Sequence, residues 1–65
     1  MDETKALQFL VNEIDKLRND NAAFVAAGRA INFDEYRHVC GVIRGLTYAE
    51  TIVKDLAKKM EFSDD

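Results

Sequence analysis

The sequence contains no proline, no tryptophan and one cysteine in 65 residues. A single cysteine excludes an internal disulfide framework, which stabilises many small secreted domains. The net charge of −3 disfavours a nucleic-acid-binding surface. The longest uncharged apolar run, residues 22–27, falls far short of the roughly 20 residues that span a membrane. The acidic start does not resemble a signal peptide, so we expect an intracellular protein. The length allows one small domain, residues 1–65.

Apolar residues in the first half recur at alternating steps of three and four, which predicts a helix over about residues 3–27. The spacing forms a heptad seam of Leu7, Leu10, Ile14, Leu17, Asn21 and Phe24. Asn21 at a core position either fixes register and partner number or lies solvated at the end of a hairpin. Gly28 is placed to end the helix in the left-handed conformation.

The turn is expected at about residues 28–32, and a second helix over about residues 33–60. Asn32 and Glu35 fit a capping box, and Ile31 with Tyr36 fits a hydrophobic staple. The predicted seam of this helix is Val39, Val42, Leu46, Ala49, Val53, Leu56 and Met60. Residues 63–65 are expected to form a frayed acidic tail.

The predicted fold is all-α: an antiparallel two-helix hairpin, completed by oligomerisation or by a partner protein. Gly41 and Gly45 weaken the second helix, and a break there would give three helices. Continuity is favoured because the apolar spacing passes through both glycines without a change of phase.

Two helices cover one another along a single stripe, and this sequence has apolar residues beyond such a stripe. Those we expect at a protein interface are Phe9, Val11, Phe24, Tyr48 and Ile52. Gly41, Gly45 and Ala49 lie on one ridge, where small side chains permit close helix packing. That packing involves either a partner or, as we favour, bulky residues of the first helix.

No residue combination indicates catalysis, and we expect no enzyme, cofactor or metal. His38 and Cys40 lie two apart on a helix and therefore point in different directions. A metal site at His38 with Asp34 and Glu35 is conceivable only across an oligomer. Arg29, Arg37 and Arg44 are more typical of an ion-paired surface than of a nucleic-acid stripe.

Residues 27–46 read AGRAINFDEYRHVCGVIRGL. This stretch, with the Asp55-Leu56 pair that follows, resembles small helical proteins of tailed, mostly short-tailed, bacteriophages over about residues 26–57. Genes of that family lie near those for the head–tail connector, so the resemblance implies a virion structural or assembly role at the portal or neck. No catalytic residue accompanies the resemblance.

We therefore expect a non-enzymatic protein, in the virion or the host cytoplasm, that binds a phage structural protein or its own copies. The alternative is a small phage regulatory protein that binds and inhibits a host enzyme. Neither function involves a membrane, and the charge disfavours nucleic acid as a partner.

Overall fold

A computed structural model describes residues 2–63, and the side chains through residue 60. It contains two helices, α1 (Glu3–Ala26) and α2 (Phe33–Ser63), joined by a short turn. They lie side by side as an antiparallel hairpin with extents of 51 × 18 × 13 Å. The all-α hairpin is thus confirmed. Helix α2 continues to Ser63, and the rest of the predicted acidic tail, residues 64–65, lies outside the described residues.

The amino-terminal cap of α1 is Asp2, which the sequence analysis did not identify. Its side chain accepts a hydrogen bond of 2.8 Å from the Lys5 amide. This bond satisfies one of the amides that a first helical turn leaves without a partner.

The carboxyl end of α1 has the predicted glycine. Gly28 has φ +70°, the left-handed conformation that glycine adopts without steric cost. Its amide donates to the Val25 carbonyl at 3.0 Å, and the Arg29 amide donates to the Phe24 carbonyl at 3.2 Å. This pair of bonds is the Schellman motif, which satisfies the last carbonyls of a helix.

Asn32 caps α2 as predicted, because its side-chain oxygen accepts a 2.8 Å hydrogen bond from the Glu35 amide. The staple prediction is wrong: Ile31 is 82% exposed and therefore does not pack against the helix. Instead, Phe33 stacks against Tyr36 with ring centroids 6.2 Å apart, and Arg37 lies over the Phe33 ring.

Helix α2 runs through both internal glycines without interruption, so the alternative of three helices is wrong. Each glycine lowers helix propensity by about 1 kcal/mol relative to alanine, but 31 helical residues and contact with α1 compensate for this.

The seam between the helices differs from the predicted one. On α1 the partly buried residues that recur at alternating steps of four and three are Leu7, Val11, Ile14, Arg18, Asn21 and Val25. Leu10 and Leu17, predicted for the seam, are about half exposed, and so is Leu56 on α2. Glu50 and Ala57 line the α2 side instead. The apolar stripe of α1 is wide enough to contain two seams, and a two-helix hairpin buries only one of them.

The core of the hairpin is thin. Among the residues with described side chains, Val39 is the only buried hydrophobic residue and Glu50 the only buried polar one. Neither helix, within the described residues, is long and apolar enough to cross a membrane.

Candidate protein-interaction face

One long face of the hairpin is polar and is held together by ion pairs. The Arg18 guanidinium contacts Asp15 on its own helix at 2.7 Å and Glu50 on α2 at 3.2 Å. The Lys54 ammonium reaches the same Glu50 oxygen at 3.1 Å. These four residues define the polar face, and the link between Arg18 and Glu50 joins the two helices there.

The neighbouring carboxyl groups of Asp15 and Glu50 shift each other's pKa in opposite directions. Interaction with Glu50 is the largest influence raising the pKa of Asp15, and burial adds to the effect. Interaction with Asp15, followed by the hydrogen bond from Lys54, lowers the pKa of Glu50. Glu50 Oε1 accepts from Arg18 and Lys54, whereas Oε2 has no hydrogen-bond partner among the described residues. Asp15 is therefore the more readily protonated of the two carboxyl groups.

The opposite long face is apolar. Asp15 and Lys54 lie on the same side of the seam. Residues that lie in the opposite direction around each helix from the seam therefore form the opposite face. We call this the apolar face, and its large members are Leu10, Leu17, Phe24, Ile52 and Leu56. All except Phe24 are exposed, and Phe24 is partly covered.

The five predicted interface residues occupy three kinds of position. Ile52, 67% exposed, lies on the rim of the apolar face, whereas Phe24 lies within it. Phe9 and Tyr48 are 53% and 64% exposed and point away from the seam, on the backs of α1 and α2 respectively. Val11 is partly buried in the seam of the hairpin. The structure thus does not gather them into one patch.

The ridge of small residues is open. Gly41 and Gly45 are exposed, and a methyl group added to either would meet no atom within 4 Å. The favoured interpretation, that bulky residues of α1 fill this groove within the hairpin, is therefore wrong for both glycines. The helices do not approach one another there, because the seam lies along another side of α2. Ala49, at the end of the ridge, is partly buried.

Asn21 does not connect the two helices through a hydrogen bond. Its side-chain amide donates to the Leu17 carbonyl of its own helix at 2.8 Å. The polar residues that do connect the helices, Arg18 and Glu50, were not identified from the sequence. Val11, Arg18 and Val25 are spaced seven residues apart, and this heptad spacing was the signal in the sequence that could have placed Arg18 in the seam.

The histidine and the cysteine of this sequence both lie on α2. His38 is exposed, and Cys40 is partly buried. A hydrogen bond with Cys40 raises the pKa of Tyr36, one helical turn earlier. Among the described residues, no group of three or more His, Cys, Asp or Glu side chains is placed to hold a metal ion.

Comparison with known proteins identifies no relative: no family model, curated protein or solved structure matches the chain.

Proposed function

We propose that this protein is non-enzymatic and acts through helix–helix contacts with other protein chains. The observation that carries this proposal is the apolar face with so little buried beneath it. A hairpin with one buried hydrophobic side chain among its described residues gains little free energy from this core. Large apolar residues left exposed over one face mark a surface that another protein covers.

The biological setting that we propose is the virion of a tailed phage, with a structural or assembly role at the portal or neck. This part rests on the resemblance of residues 27–46 to small phage proteins. The structure gives much of that stretch a folding role: Gly28 ends α1, Asn32 caps α2 and Val39 is buried. The stretch therefore supports a shared hairpin, and the location in the virion depends on the resemblance alone.

The second candidate is a small phage regulator that binds and inhibits a host enzyme in the cytoplasm. Such a regulator would bind its target through the same exposed apolar residues. Quantitative mass spectrometry of purified particles separates the two functions, because a structural protein is present at a fixed copy number per virion and a regulator is absent. Absence from particles would contradict the virion role.

Variants at Tyr48 and Ile52 test whether exposed apolar residues bind the partner. Both side chains are more than 60% exposed in the hairpin, so Tyr48→Ala and Ile52→Ala should leave the helix content nearly unchanged and should weaken folding less than assembly. Each should lower incorporation into particles, since apolar contacts with the partner are lost. Ile31→Ala is the matched control, because Ile31 is exposed in the turn. Equal loss of folding and incorporation would count against the proposal.

A further inference from the structure

We infer that the apolar face is covered by a second copy of this chain, giving a dimer in the form of an antiparallel four-helix bundle. The inference rests on the proposed function and names the partner at this face. In such a bundle each helix buries its seam and also the adjacent quarter-turn of its circumference, which faces the second copy. Leu10, Leu17 and Phe24 occupy that quarter-turn on α1, as do Gly45, Ala49 and Leu56 on α2.

The size of the face suits a second copy. Along the 24 residues of α1, about 36 Å, the face is 18 Å wide, which gives a footprint of roughly 650 Å². A footprint of this size is of the same order as the ~800 Å² of accessible surface that each partner buries in a standard protein interface. A second hairpin has the same length, so it would cover the face from end to end. Each copy would also bury the exposed leucines of the other.

Bulky and small residues occur at matching levels along the hairpin. Pairing of Arg18 with Glu50 sets the register between the helices. In this register Phe24 lies at the level of Gly41 and Gly45, and Leu17 at the level of Ala49. A two-fold axis parallel to the helices preserves these levels. It places α1 of one copy over α2 of the other, and every pair of neighbouring helices is then antiparallel. The bulky row of each copy then meets the small row of its partner.

Charge favours the same arrangement. Glu13 and Asp20 line the outer edge of α1 beside the apolar face. Laying α1 over α1 would bring these carboxylates towards their equivalents in the other copy, which is unfavourable. Laying α1 over α2 avoids this, because Lys59 lies on the corresponding edge of α2 within about four residues of the level of Glu13. The carboxylate on that edge, Asp34, lies far from the levels of both Glu13 and Asp20. The dimer leaves Phe9 and Tyr48 exposed on its outer surfaces for a further partner.

Sedimentation equilibrium of the full chain tests the inference, with Leu17→Lys and Phe9→Lys as a matched pair. The two side chains are 52% and 53% exposed on different sides of α1. We expect the wild type and Phe9→Lys to have twice the chain mass of 7.4 kDa. Leu17→Lys should raise the Kd of the dimer by about 100-fold or more, since each dimer would bury two ammonium groups. A monomeric wild type, a larger oligomer, or a dimer that tolerates Leu17→Lys would overturn the inference.

Disulfide trapping tests which helices of the two copies lie over one another. On a Cys40→Ser background, a Leu17→Cys chain is mixed with an Ala49→Cys chain and oxidised. We expect the mixed disulfide to exceed both homodisulfides, whereas excess of the Leu17→Cys homodisulfide would overturn the proposed stacking. A monomeric wild type that still enters particles would refute the dimer and leave the proposed function standing. A dimer absent from particles would refute only the virion role.

Discussion

The Arg18 guanidinium lies 3.2 Å from the Glu50 carboxylate, joining residues 32 positions apart in the sequence. It is the ion pair in the described part of the chain that links α1 to α2. Because Glu50 is 7% exposed, its charge depends on Arg18 and Lys54 for compensation.

Replacing Arg18 by methionine should lower the melting temperature by roughly 5 °C or more, because it leaves a buried carboxylate short of a cation. Arg18→Met/Glu50→Met should recover much of the loss, since the pair is replaced by apolar side chains of similar length. Thermal unfolding followed by circular dichroism at pH 7 checks both. A double variant that melts at a lower temperature than Arg18→Met would show that the ion pair stabilises the hairpin by more than the neutralisation of the two charges.

Asp15→Asn and Glu50→Gln should change stability in opposite directions at neutral pH. The folded-state pKa of Asp15 is raised, so its contribution to stability is present below the ordinary value of 3.8 and is lost as pH rises through the folded value. Asp15→Asn removes that loss and should melt above the wild type at pH 7, with the difference disappearing near pH 3.

The pKa of Glu50 is lowered, so its contribution is present above the ordinary value of 4.5 and is lost as pH falls through the folded value. Glu50→Gln should therefore melt below the wild type at pH 7 and approach it in acid. Melting curves of both variants from pH 3 to pH 7 provide the measurement, and shifts of the same sign would contradict the opposite pKa shifts of the two carboxyl groups.

Gly28→Ala should destabilise the hairpin by about 1–2 kcal/mol, because an L side chain disfavours the left-handed conformation. A methyl group there would meet no neighbouring atom, so the cost is one of backbone conformation. Gly41→Ala is the control: its backbone is helical and its surroundings are open, so the hairpin itself should gain up to about 1 kcal/mol. Urea unfolding of both variants measures the difference.

Asn32→Ala should cost about 1 kcal/mol, because the Glu35 amide loses its hydrogen-bond acceptor at the start of α2. Asn32→Asp should retain the stability of the wild type, since its side chain accepts the same bond and carries a charge that the helix dipole favours. Chemical denaturation distinguishes these outcomes. Equal destabilisation by both substitutions would show that the cap contributes little.

The parts of the fold that depend on local sequence were predictable. Gly28 and Asn32 act within a few residues of themselves, so their roles follow from residue type and spacing. The continuity of α2 followed from apolar spacing that never changes phase at Gly41 or Gly45.

The phase of the seam was not predictable in the same way. The stripe of α1 offers Leu10 and Leu17 on one side and Val11 and Arg18 on the other, and periodicity does not say which side faces α2. The predicted seam leaves out Arg18, which is charged. Its partner Glu50 is distant in sequence, so only the folded hairpin shows that the two meet. The apolar face was not predicted for the same reason, because Leu10, Leu17 and Leu56, which form most of it, were assigned to the seam.

The division into a polar and an apolar face means that salt acts on the two sides of this protein in opposite ways. Dissolved ions screen the partly exposed Asp15–Arg18 pair and weaken the polar face. Sulfate and similar salts are excluded from protein surfaces and strengthen the burial of exposed leucines on the other face. Raising the concentration of such a salt therefore loosens the ion pairs within each hairpin while it drives the apolar faces of separate molecules together.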